Sequence, residues 1–234
     1  MDINNFFDLL FKEGFILSDK QREQLLTYLS LIEEKNKVMD LTANVSIEEI
    51  LEKNFYDSII SSKLLKKDIN NLLDLGSGAG FPGILYAIIY PTLNITLLEP
   101  MKKRASFLNE CKDKLSLNNV TISSLRAEDY VSTHRSYYDV VSARAVAKLS
   151  ILLELSIPLL KVNGYLLALK GPKFYEEEKE AKNALDILHV RKEAISIFEL
   201  PTNKEKRINV LFKKEKENSL KYPRIYSQIK KKPL

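Results

Sequence analysis

Four of the seven glycines in this 234-residue chain fall within eight consecutive positions, at Gly76, Gly78, Gly80 and Gly83. Glycine reaches positive φ without steric penalty and lets backbone lie directly against a ligand. Such a cluster in a glycine-poor chain predicts a binding loop, here between an apolar run over 72–75 and a helical pattern over 83–90. The same region invites a membrane reading, because no charge occurs between Asp74 and Glu99 and that length could cross a bilayer. Pro82, Pro91 and Asn94 join the glycines there. A spanning helix must satisfy every backbone group internally, and so many breakers prevent that. The segment is expected to be buried strand, loop, helix, turn and buried strand, with no membrane partner.

The surrounding pattern extends this unit. Residues 1–70 read as a helical segment. Ser18 is placed to cap a helix over 19–37, in which Leu25, Leu29 and Ile32 repeat at helical spacing, and a second helix follows Ser46. Residues 39–43 read as the loop between them. From 71 onward the period shortens. Apolar runs at 72–75, 95–99, 120–122, 140–142 and 165–169 alternate with helical patterns at 83–90, 102–117, near Asp129, and at 148–160; another helix is expected over 175–188. Two more runs, 194–198 and 209–212, are joined by a short loop. Alternation of this kind predicts an α/β fold with a seven-stranded, mostly parallel sheet covered on both faces, ending in an antiparallel pair at the edge. The expected organisation is a helical segment 1–70, a nucleotide-type α/β domain 71–213 and a basic tail 214–234 without periodicity.

Three phosphate- or nucleotide-binding patterns compete for the glycine loop. A Walker loop requires Lys-Ser/Thr after its last glycine, and Ile84-Leu85 stands there. A dinucleotide fingerprint read from Gly76 places Phe81 where a small residue should admit the helix, although Glu99 at the end of the second strand suits a ribose. An S-adenosylmethionine pattern fits better, with Asp74, then Gly76, Gly78 and Gly80, then Glu99 able to accept two ribose hydroxyls. Ala127-Glu128-Asp129, after the third strand, would meet adenine. Asp74, Glu99 and Glu128 also suit the cofactor's cationic sulfur and amine.

Several segments together resemble the glucose-inhibited division protein B family of bacterial methyltransferases. They are Asp40-Leu41-Thr42, Lys53-Asn54-Phe55-Tyr56-Asp57-Ser58, Leu73 through Gly83, Lys103-Arg104 with Phe107-Leu108, Arg126-Ala127-Glu128, Ser142 through Ala147, Leu169-Lys170-Gly171, and the terminal Tyr222-Pro223-Arg224 and Lys232-Pro233-Leu234. The resemblance implies a Rossmann-like class I methyltransferase fold and methyl transfer from S-adenosylmethionine to guanine N7 in 16S ribosomal RNA of the small ribosomal subunit. It also implies that Gly76, Phe81, Ala127, Glu128 and Arg144 serve the cofactor.

Guanine N7 has a lone pair and no proton, so the reaction needs alignment rather than a base. Arg144 is therefore expected to orient cofactor or target, as the one catalytic candidate. The amino-methylation signature Asn/Asp-Pro-Pro-Tyr/Phe is absent, with Ser142-Ala143-Arg144-Ala145 in its place. Residues 173–234 carry 16 Lys and Arg against 10 Asp and Glu, a balance that suits a polyanion. Lys170, Arg224, Lys230, Lys231 and Lys232 are the expected RNA contacts, with Lys102, Lys103 and Arg104 as further candidates. One cysteine, and two histidines 55 positions apart, exclude a disulfide framework and predict no metal site. The start Met1-Asp2-Ile3 lacks a signal-peptide pattern; a cytoplasmic monomer is expected.

Overall fold

The computed structural model describes residues 1–39, 41–44 and 46–234; Asp40, part of the resemblance, lies outside them. Three helical stretches come first. In α1 (Ile3–Lys12) the Asp2 carboxylate accepts from Asn5 N. α2 (Asp19–Asn36) opens on a capping box: Ser18 Oγ accepts from Gln21 N, and the Gln21 side chain accepts from Ser18 N, which satisfies two otherwise orphaned donors. α3 (Ile47–Glu49) is capped by Ser46. The helix expected there is present, but it widens into a π-helical stretch, Ile50–Tyr56, before continuing as α4 (Asp57–Ser61).

The alternating unit follows as β1 (Asn71–Leu75), α5 (Gly83–Ile89), β2 (Asn94–Leu98), α6 (Lys102–Lys114), β3 (Val120–Ser123), α7 (Ala127–His134), β4 (Tyr138–Arg144), α8 (Leu149–Ser156) and β5 (Leu160–Lys170). Then come α9 (Phe174–Glu180), α10 (Lys182–Ile187), β6 (Val190–Glu199), β7 (Lys206–Lys214) and α11 (Tyr226–Lys231). The strand order is β3-β2-β1-β4-β5-β7-β6. β1 to β5 pair in parallel, and β7 runs antiparallel to both β5 and β6. The antiparallel pair therefore sits at the edge as expected, with β7 inserted and β6 outermost.

Three local expectations change. The helix expected over 148–160 ends at Ser156, where Pro158 enters a short 3-10 turn; proline removes the donor that the helix would need. The stretch 175–188 divides at Ala181 into two short helices. The tail is folded rather than aperiodic: β7 reaches Lys214, Tyr222 and Ile229 are buried, and Leu234 packs against the core.

Each face of the sheet has its own apolar layer. Leu72, Leu97, Val140, Leu167 and Leu211 face Phe6, Tyr28, Phe55, Ile84 and Phe107 from the N-terminal helices, α5 and α6. Leu73, Val141, Leu166, Val210 and Phe212 face α7 to α11 through Leu152, Leu155, Phe174 and Ile229. Alternate residues of one strand serve opposite layers, as the period of two requires. Cys111 is fully buried in the first layer, and burial pushes its thiol pKa up. Among the described residues no helix is long and apolar enough to cross a membrane, and no cluster of His, Cys, Asp or Glu is arranged to hold a metal.

Candidate active site

Strand order reverses between β1 and β4, and in such sheets the ligand crevice opens at the carboxyl ends of the strands beside that reversal. The glycine loop lies there. Gly76, Gly78 and Gly80 have φ of 69, 59 and 102°, a region L-residues rarely enter. Gly76 N donates to Leu98 O at 2.8 Å, which ties the loop to the end of β2. Gly83 is needed for space instead. A Cβ there would lie 2.7 Å from Asp74 Oδ2 and would also strike Leu97.

Asp74 works from beneath this loop. Its side chain is fully buried; Oδ2 accepts from Gly83 N at 3.1 Å and Oδ1 from Ser142 Oγ at 3.0 Å. The carboxylate thus joins the first turn of α5 to β4, a position stabilised by the positive end of the helix. Burial pushes its pKa up to about 6, opposed by those hydrogen bonds. The sequence placed Asp74 among the cofactor contacts, whereas the structure gives both its oxygens to protein donors.

Glu99 closes the other side of the loop. It is 3% exposed, with Oε2 accepting from Gly78 N at 2.8 Å and Oε1 from Met101 N at 2.9 Å. Each carboxylate oxygen keeps a second lone pair for a hydroxyl. Beyond it lies a cavity of about 200 Å³ lined by Gly76, Leu98, Pro100, Leu125, Ala127 and Glu128, among others. Ala127 and Glu128 occupy the first turn of α7, where backbone N–H groups have no intrahelical acceptor. S-adenosylmethionine fits these residues. A Cβ on Gly78 would meet nothing nearer than Gly76 O at 4.0 Å, so the loop presents open backbone, with a buried acid and an apolar cavity in line beyond it.

A larger cleft of about 650 Å³ adjoins the first, and Val146 lines both. Arg144, the last residue of β4, dominates it. Its Nη1 donates to Lys53 O at 2.9 Å, and both Nη atoms donate to Asn54 Oδ1 at 3.3 Å. Its guanidinium lies 4.9 Å from the Phe81 ring centroid. Asp57 Oδ2 sits 4.0 Å from Arg144 Nη1 and accepts from Arg207 Nε at 3.0 Å. Burial raises the Asp57 pKa against the pull of both arginines, and burial lowers that of Arg144. The π-helical stretch carries Lys53 and Asn54 to this point, a use typical of π turns.

The other expected residues separate into two groups. Phe81 is buried, its ring packed 5.7 Å from Tyr28 and 5.9 Å from Phe55; it faces the core and seats Arg144. Lys170, 10% exposed, donates to Ala147 O at 2.9 Å and pairs with Glu177 at 2.7 Å. Arg224 forms a two-pronged pair with Glu154 at 2.7 and 2.6 Å. Each cation is held by a carboxylate, Lys170 while lining the larger cleft and Arg224 while partly exposed. Lys230, Lys231 and Lys232 are exposed, as are Lys102 and Lys103.

Sequence reasoning assigned no role to Tyr28, Asn54, Asp57 or Arg207. Asn54 and Asp57 stood inside a segment of the resemblance, which was the available signal; Tyr28 and Arg207 had none. Tyr28 Oη donates to Ala79 O at 2.6 Å, so α2 props the glycine loop from outside the sheet.

Strand order, glycine loop and the acid after β2 define a Rossmann-like, S-adenosylmethionine-dependent methyltransferase. Two solved structures of the same fold are M. jannaschii TYW2 in complex with AdoMet (TM-score 0.53, 17% identity, covering 68% of this chain and 76% of that one) and a SAM-dependent methyltransferase from Aquifex aeolicus (0.52, 20%, 71% and 93%). The chain belongs to the rRNA small subunit methyltransferase G family, whose model matches residues 21–208. Ribosomal RNA small subunit methyltransferase G of Streptococcus pneumoniae serotype 19F (strain G54) is 42% identical over 238 residues, and that of Streptococcus gordonii (strain Challis) is 40% identical, each over the full length of both chains.

Proposed function

We propose that this chain transfers the methyl group of S-adenosylmethionine to N7 of a guanine in 16S ribosomal RNA of the small subunit, in the cytoplasm and as a monomer. The observation that carries the reading is the shared wall at Val146, where the cofactor cavity and the arginine-lined cleft meet. Gly76, Gly78 and Gly80 would hold the methionine end, Glu99 the ribose, and Ala127 and Glu128 the purine. The cofactor supplies an electrophilic methyl group on a positively charged sulfur.

The chain's own residues have only to align and exclude. N7 sheds no proton, and the acids of the cleft are each engaged by a cation: Asp57 by Arg207, Glu177 by Lys170, and Glu205 by Lys53 and Arg207. Alignment of two reactants contributes up to roughly 7–11 kcal/mol. Arg144, held by Asn54 and the Lys53 carbonyl, is rigid enough to direct a base edge or phosphate. The methylated base is cationic, and the Asp57 carboxylate keeps the cleft from being uniformly positive. Lys230, Lys231 and Lys232, with Lys102 and Lys103, would meet the phosphates.

The test is methyl transfer from labelled S-adenosylmethionine to small subunits, large subunits and naked ribosomal RNA from cells lacking this activity. Label in small-subunit RNA, at a site cleaved by 7-methylguanine chemistry, is the expected result. Label in another acceptor, or none despite cofactor binding, overturns it.

A further inference from the structure

The cavity that continues beyond Glu99 has a wall that does not come from the alternating unit at all. Tyr226, the first residue of α11, lines it alongside Leu98, Leu125, Ala127 and Leu155 of the unit itself. The C-terminal segment is built into place there. Glu154, fully buried next to Leu155, accepts from Arg224 N at 3.0 Å as well as from its guanidinium. Arg135 donates to Tyr222 O, and Ile229, one turn beyond Tyr226, is fully buried in the second apolar layer. The ion pair and the anchor bracket Tyr226 on both sides, so its position against the cavity is fixed by packing.

The cavity's contents follow from its order along the strand ends. The glycine loop comes first, the ribose acid second, and the apolar space between the ends of β2 and β3 third. At about 200 Å³ it exceeds the roughly 150 Å³ engineered void that admits benzene, and it suits a flat, mostly apolar heterocycle. We infer that the C-terminal segment is part of the cofactor site, with Tyr226 forming the outer wall against the purine and the Arg224–Glu154 pair positioning it. This rests on the cofactor being S-adenosylmethionine and not on which acceptor is methylated. The segment that the sequence presents as a basic RNA arm thereby has a second task on its other face.

Calorimetric titration of the full-length chain, without RNA, tests this. The probes are S-adenosylhomocysteine and 5′-methylthioadenosine, which lacks the amino-acid end. Replacing an aromatic ring that stacks on a base by alanine typically weakens binding several-fold to a hundredfold. Tyr226→Ala is expected to raise both dissociation constants by about tenfold, in equal ratio. Tyr226→Phe should stay within about twofold, and Gln228→Ala, on the exposed side of the same helix, should match the unaltered protein. Equal affinity of Tyr226→Ala and the parent for both probes overturns the inference, as does a loss confined to S-adenosylhomocysteine. Should Tyr226→Ala fail to fold, Tyr226→Leu keeps apolar bulk against Leu155, and its intact affinity for methylthioadenosine would overturn the inference equally. Failure of the unaltered protein to bind either probe overturns the cofactor assignment itself, a result distinct from a failure of RNA methylation.

Discussion

The guanidinium of Arg144 lies 4.9 Å from the centroid of the Phe81 ring, so the tip of the glycine loop and the end of β4 form one contact. Phe81 comes from the glycine loop and Arg144 lines the larger cleft, and the two side chains pack against each other. Arg144→Lys keeps the charge and loses the planar fork that engages Asn54 and the Lys53 carbonyl. It is expected to lower kcat for methyl transfer by about 100-fold, the scale of a 1 Å misplacement, with little change in melting temperature. Arg144→Ala with unaltered transfer and unaltered cofactor affinity would remove this residue from the site. Phe81→Leu, which retains apolar volume but no ring face, should cost about 1 kcal/mol in urea unfolding.

Gly78 and Gly83 should respond differently to the same added methyl group. Gly83→Ala drives its Cβ against Asp74 and Leu97, and overpacking of this kind costs about 1–3 kcal/mol. Gly78→Ala meets open space and bears only the strain of φ 59°, about 1–2 kcal/mol. Its methyl points where the loop presents bare backbone. Titration with S-adenosylhomocysteine should therefore show the larger affinity loss at Gly78, and urea unfolding the larger stability loss at Gly83.

Asp74 makes stability depend on pH with an unusual sign for a carboxylate. Its pKa is about 6 in the folded protein against 3.8 as the reference, so the folded state holds the proton more tightly. That contribution is fully present below pH 4 and is lost as pH rises through 6. The two-unit difference corresponds to about 3 kcal/mol. Asp74→Asn cannot titrate; its stability relative to the parent should improve by up to about 3 kcal/mol between pH 4 and pH 7, read from urea midpoints. A difference independent of pH would contradict this account of the site.

The basic residues of the C-terminal segment divide by what they touch. Replacing Lys230, Lys231 and Lys232 together with Gln should leave the melting temperature within a few degrees. It should also flatten the plot of log affinity for 16S RNA against log salt by about 2–3 units, since each of the three phosphate contacts removed subtracts somewhat less than one. Arg224→Ala leaves the Glu154 carboxylate buried without its partner, which costs about 3–5 kcal/mol, while its effect on the salt slope is small.

Much of this was legible in the chain. The glycine cluster, the uncharged span and the change of period located β1, α5 and β2, because strand burial and loop conformation leave local signatures in residue type. Glu99 and Ala127-Glu128 were placed for the same reason: they follow strands whose apolar runs are visible. What the sequence concealed depends on partners across long separations. Arg144 and Asn54 lie 90 positions apart, Asp57 and Arg207 150 apart, and no local pattern marks such pairs. Lys170 and Arg224 read as free cations because the acids that hold them, Glu177 and Glu154, look like ordinary helix residues. The π-helical widening that delivers the Lys53 carbonyl to Arg144 has no composition signal of its own. The tail's order was hidden because its anchors are scattered single contacts, the buried Tyr222 and Ile229 and the Arg224–Glu154 pair, which leave no periodic pattern.

Cys111 gives the molecule an internal clock. The only thiol in 234 residues is fully buried where α6 meets the first apolar layer, and its raised pKa suppresses the reactive thiolate. A thiol reagent can reach it only when that layer opens. Its labelling rate therefore follows the opening of that layer, equal to the opening rate when the reagent outpaces reclosing, with no probe to be engineered and no second cysteine to confuse the reading.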